Sequence, residues 1–88
     1  MSAQGMLRIV EGGYAAYCPG CKCHHLFDRH WKFDGNFEKP TFSPSMLVDA
    51  NYPDSRCHSF VRNGNWEFLL DCAHELAGRT VPMEVEDE

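Results

Sequence analysis

Three short stretches of this chain carry side chains that bind metals or move protons. Cys18-Pro19-Gly20-Cys21 holds two thiols two residues apart in a tight turn. Two thiolates at that spacing reach one ion, as in a zinc knuckle. A redox dithiol uses the same spacing but wants a helix opening at its first Cys, and the following Cys-Lys-Cys-His-His-Leu-Phe run has no helical pattern. Cys57-His58 is an adjacent doublet, and Asp71-Cys72-Ala73-His74 adds a carboxylate, a thiol and an imidazole. Thiols with an imidazole suit a metal, and an imidazole with a carboxylate suits proton transfer.

These groups act together only if one element joins them. That element is a β-hairpin over Cys57 to His74. Phe60-Val61 and Trp66 to Leu70 are β-formers, and Asn63-Gly64 between them is a strong hairpin signal. Side chains on a strand alternate faces, so register decides which residues meet. With a two-residue turn, Arg62 pairs with Asn65 and Cys57 lies opposite Leu70. The thiols Cys57 and Cys72 then share one face, and His58 and its diagonal neighbour Asp71 share the other. A three-residue turn exchanges the sets and gives a more apolar face of Phe60, Trp66, Phe68 and Leu70. The preference of Asn-Gly for the type I′ turn favours the first register.

The remaining chain reads as short strands. Met6 to Glu11 and Tyr14 to Cys18 flank the Gly12-Gly13 turn, and Trp31 to Phe33 precedes Asp34-Gly35. Pro40 and Pro44 make Glu38 to Ser45 a rigid, extended segment outside any ladder, leading to a strand at Met46 to Val48. Cys23, His24 and His25 crowd after the knuckle. One could replace a ligand, but neighbours this close to Cys21 rarely all coordinate, so they read as surface or supporting residues, and His30 as structural. One helical turn over Ala73 to Ala77 closes at Gly78. A last strand spans Thr80 to Val85, and Glu84 to Glu88 form an acidic tail. The expected core is Trp31, Phe33, Phe42, Leu47, Phe60, Phe68 and Leu69.

The class is all-β: a small antiparallel sheet domain stapled by one zinc, with at most one helical turn. At 88 residues the chain predicts a single domain over 1–88. A chain of that size buries only roughly 60–65% of its unfolded surface, so a staple is expected. Five Cys cannot all pair, and no apolar leader marks a secretory context, so the thiols predict metal before disulfides. The zinc ligands expected are Cys18, Cys21, Cys57 and a fourth from His74 or its alternate Cys72. His74 has the longer reach. A net charge of −5 argues against nucleic acid, which needs a basic face. No stretch is long enough to span a membrane.

Glu-Lys-Pro-Thr-Phe-Ser-Pro-Ser at 38–45, Cys-His-Ser-Phe-Val at 57–61 and Phe-Leu-Leu-Asp-Cys-Ala-His at 68–74 together resemble a family of small phage and bacterial proteins. The family was long of unassigned function. Its phage members often carry the label "ammonia monooxygenase", which does not suit so small a chain. The resemblance runs from the knuckle to Val81. It implies a zinc-containing serine protease linked to bacterial ubiquitin-like conjugation, acting in the cytoplasm on a protein or peptide substrate, and it favours His74 as the fourth ligand.

A serine hydrolase needs a nucleophile, a base and an orienting acid. His58 and Asp71 supply the last two across the hairpin. The nucleophile comes from Ser43 or Ser45. Ser45 is preferred, because Met46 after it offers an N–H for an oxyanion hole, whereas Pro44 after Ser43 has none. Other readings stay open. Cys72 could be a thiol nucleophile. His58 and Asp71 could form a structural bond, with both serines in turns. The chain would then be a zinc module that binds a protein partner without cleaving it. Or it could be a zinc hydrolase with an open metal position and Glu75 as base.

Overall fold

The computed structural model describes residues 2–86, which form nine strands and no helix. They are β1 (Ser2–Gln4), β2 (Leu7–Val10), β3 (Gly13–Cys18), β4 (Cys23–Phe27), β5 (Lys32–Phe33), β6 (Phe42–Val48), β7 (Cys57–Arg62), β8 (Asn65–Phe68) and β9 (Thr80–Pro82). All pairings are antiparallel, in one sheet of order β1-β2-β3-β4 and a second of order β5-β6-β7-β8-β9. No helix among the described residues is long and apolar enough to cross a membrane.

The hairpin forms in the two-residue register, with Arg62 opposite Asn65 and Ser59 opposite Phe68. Asn63 and Gly64 have φ of 52° and 79°, the left-handed pair that a type I′ turn requires. Along β7, Cys57, Ser59 and Val61 are buried, while His58 and Phe60 alternate outward. The first sheet contributes Leu7, Ala16, Cys18 and Phe27 to a core shared with Phe42, Met46, Cys57, Val61, Trp66 and Phe68 of the second. Phe27 stacks on Phe42 at 4.2 Å between ring centroids. The buried Trp66 donates its indole N–H across the core to the Tyr17 carbonyl at 3.2 Å.

Several expectations are corrected. β1 and β4 were not anticipated, and β4 turns the run after the knuckle into a strand, with His25 and Phe27 inward and His24 and Leu26 outward. Phe42 and Ser43 belong to the ladder, paired with Phe33 and Lys32. Leu47 is 49% exposed. Phe60 lies on the outer face under the Arg62 guanidinium, 3.9 Å above its ring. Both follow from the register, which sends odd-numbered β7 residues inward and leaves Trp66 to fill the centre. The ladder stops at Phe68, so Leu70 does not pair with Cys57 and is 87% exposed.

Residues 74–79 make successive i→i+3 turns, Ala77 N–H to His74 C=O and Arg79 N–H to Leu76 C=O, and Gly78 adopts φ of 77°. β9 ends at Pro82. Glu86 is no free tail: it receives Arg8 at 3.3 Å and His24 at 3.0 Å. Asp87 and Glu88 of the expected acidic tail lie outside the described residues.

Candidate active site and metal centre

β6 and β7 position the reactive groups. β6 pairs with β7 at Phe42↔Val61 and again at Met46↔Ser59, so four steps along β6 oppose two along β7. Pro44 has no N–H for the ladder, and this extra chain is a bulge. The bulge carries Ser45 next to His58, whose cross-strand partner is Leu47. Ser45 Oγ lies 3.2 Å from His58 Nε2, and His58 Nδ1 lies 3.1 Å from Asp71 Oδ2. Ser43 sits further back, opposite Lys32 on the β5 side.

With Nδ1–H donated to the Asp71 carboxylate, Nε2 keeps its lone pair and accepts the Ser45 hydroxyl proton. The side chains of His58 and Asp71 are 25% and 44% exposed, so the three groups line an open face. Cys72 plays a part the sequence did not suggest. Its Sγ accepts the His58 N–H at 3.2 Å, and its S–H donates to the His58 C=O at 3.0 Å. Where β8 has ended, this thiol holds the backbone of His58 in place of a strand.

The expected oxyanion donor is corrected. Leu69 N–H and the Cys72 side chain occupy His58 on the β8 side, so the alternation of an antiparallel ladder turns Ser59 toward β6. Its partner there is Met46. The Met46 N–H therefore serves the sheet.

On the opposite face three thiols cluster. Cys18 ends β3, Cys21 closes the knuckle and Cys57 opens β7. Lys22 occupies the position after the second Cys that often holds Gly, and takes φ of 58°. Its N–H bonds the Cys18 carbonyl at 2.8 Å, and the Cys21 N–H reaches Cys18 Sγ at 3.4 Å. Ligand atoms of Cys18, Cys21, His25 and Cys57 all lie within 4.8 Å of one another, and Cys57, Cys72 and His74 form a second such group. Cys18 and Cys57 sulfurs are 4.0 Å apart, and Cys57 Sγ is 3.6 Å from His74 Nε2.

Three crowded thiols cannot all ionise without a cation. A hydrogen bond from Cys57 brings the Cys18 thiol down to about 4 against the opposing effect of burial, with His25 helping. Burial, then the Cys18 charge, pushes Cys21 up to about 11. Cys57 is driven upward by donating its proton to Cys18 and by burial. A divalent ion reverses this, since coordination favours the thiolate at every position.

The donor set fits zinc. With Zn–S bonds near 2.3 Å, a tetrahedral site places its sulfurs about 3.8 Å apart, close to the 4.0 Å between Cys18 and Cys57. Glu75 is exposed and belongs to neither group. A cleft of about 350 Å³ opens beside the thiols, lined by Cys21, His25, Val48, Arg56 and His74 among others.

A family model described as "Bacterial ubiquitination-like system serine protease (BubE)" matches residues 2–69. That span takes in the knuckle, Ser45 and His58 and stops short of Asp71. Comparison with curated proteins and with solved structures gives no match.

Proposed function

This chain belongs to the family of bacterial ubiquitination-like system serine proteases, and from that premise we propose that it cleaves an extended protein tail through Ser45, His58 and Asp71. The substrate class that suits the family is a ubiquitin-like protein or a conjugate of one. The carrying observation is the run of two contacts, Ser45 Oγ to His58 Nε2 at 3.2 Å and His58 Nδ1 to Asp71 Oδ2 at 3.1 Å.

The steps follow from that order. His58 Nε2 takes the Ser45 proton as Oγ attacks the scissile carbonyl. The imidazolium gives this proton to the leaving amine, and the acyl group remains on Ser45 as an ester. His58 then draws a proton from water as it attacks the ester, and the imidazolium returns that proton to Ser45 Oγ as the acyl–oxygen bond breaks and the carboxylic acid leaves. Asp71 accepts Nδ1–H throughout and fixes the tautomer.

Zinc held by Cys18, Cys21, Cys57 and a neighbouring imidazole would tie the two sheets together and leave the chemistry to the other face. A metal-water mechanism with Glu75 as general base would instead keep much of its activity without Ser45. Ser45→Ala is expected to abolish cleavage of a ubiquitin-like precursor while zinc content and Tm stay near wild type. Ser43→Ala should retain most activity. Wild-type cleavage by Ser45→Ala sinks the serine mechanism, and a wild-type protein that binds the precursor without cutting it is a binding module.

A further inference from the structure

Two imidazoles border the three clustered thiols, and their hydrogen bonds distinguish them. We propose that His25 is the fourth ligand of the zinc held by Cys18, Cys21 and Cys57, and that His74 donates a hydrogen bond to the Cys57 sulfur instead of ligating. The assignment rests on the zinc reading above and sharpens it.

His25 is on β4 with 7% exposure, and one of its ring nitrogens lies within 4.8 Å of the sulfurs of Cys18, Cys21 and Cys57. Its Nε2 is buried without a hydrogen-bond partner. A ring nitrogen enclosed in this way loses its hydration with no hydrogen bond in return, and a metal ion at the site would give it a partner. The Trp66 ring stands edge-on to it at 6.1 Å and limits its movement.

His74 is in a different state. The Leu76 N–H points at His74 Nδ1 at 3.2 Å. A backbone N–H has only a proton to give, so Nδ1 is the acceptor and the ring proton sits on Nε2. That N–H faces Cys57 Sγ at 3.6 Å. A nitrogen bearing a proton has no lone pair for a metal, but it is well suited to a thiolate. The ring is also fixed. It lies against the Cα of Gly20, where any side chain would displace it, and it meets the Phe68 ring edge-on at 4.6 Å. Moreover, the ligand group that contains Cys18 and Cys21 takes in His25 and not His74. Cys72 is committed elsewhere, with both its hydrogen bonds on the His58 backbone.

The assignment gives the ion three ligands from the first sheet, at the end of β3, in the knuckle and on β4, and one from the second sheet, Cys57. His74 then joins that sulfur to the 69–79 segment that presents Asp71. Outer partners of this kind cost about 10–100-fold in metal affinity when removed. His74→Gln, which keeps an N–H donor, is expected to fall within or below that range in competition against a chromophoric chelator. His25→Ala is expected to fall beyond it.

Because His25→Ala can fail to fold, the wild-type protein loaded with cadmium-113 supplies a second readout. Scalar coupling from the metal to the His25 ring protons is expected, with none to His74. Coupling to His74 in place of His25 overturns the ligand assignment while leaving the metal reading intact. A wild-type protein that binds neither zinc nor cadmium overturns both.

Discussion

Asp71 is the most exposed member of the Ser45–His58–Asp71 run, with its side chain 44% accessible. A pair so open to water contributes little to stability, on the order of 0–1 kcal/mol. Its effect should therefore appear in catalysis. Asp71→Asn is expected to lower kcat by about 10³–10⁴-fold, because the amide favours the wrong tautomer of His58, with Tm nearly unchanged. A fall in Tm with kcat intact would make the pair structural.

Cys72 should behave in the opposite way. Cys72→Ala strips two hydrogen bonds from the His58 backbone and is expected to cost about 1–3 kcal/mol, whereas Cys72→Ser restores a donor and acceptor and should recover most of it, as thermal melts would show. That His58 and Cys57 face opposite ways was legible in the sequence, since neighbours on a strand alternate. The work of Cys72 was not, because a thiol bonding another strand's backbone leaves no periodic trace.

At the level of the element, the hairpin was legible because Asn63-Gly64 specifies both a turn and a register. β4 was not. Cys23, His24 and His25 read as polar, and the alternation of His25 and Phe27 against His24 and Leu26 becomes visible only once an imidazole is allowed inside. The bulge in β6 was partly legible: two prolines announced a break in the ladder, but not that the ladder would resume on both sides of it. The knuckle offers a local test. Lys22 holds φ of 58°, where a side chain strains against the following carbonyl at a cost of roughly 1 kcal/mol. Lys22→Gly is expected to raise stability by up to about that amount, measured by denaturant midpoint. A lower midpoint would mean that the Lys22 side chain is itself needed.

For the whole molecule, the thiol cluster ties two small sheets whose shared core is thin. A structural zinc contributes on the order of 10 kcal/mol of apparent binding free energy, comparable with the net stability of a domain. Chelation is expected to unfold the protein, seen as loss of its far-UV β signal; a chelated protein that keeps its melting transition would refute that. Proton release gives a finer check. Coordination needs thiolates, and in the metal-free, unfolded chain the three thiols are mostly protonated near neutral pH. Zinc binding should displace about three protons per ion, and acid should reverse the uptake. Calorimetry in buffers of different ionisation enthalpy would count them; release of fewer than one would contradict the thiolate cluster.

The slip in β6 sets a limit on how this chain can be improved. Its four steps against two in β7 give β6 two more residues than a regular ladder between Phe42 and Met46 would hold. A shortened chain lacking Pro44 and Ser45 would run β6 in register from Phe42 to Val48. It should melt higher than its parent and cleave nothing. Any selection for thermal robustness alone would therefore favour losing Ser45, the proposed nucleophile, so screens for hardier variants need a cleavage readout alongside the melt.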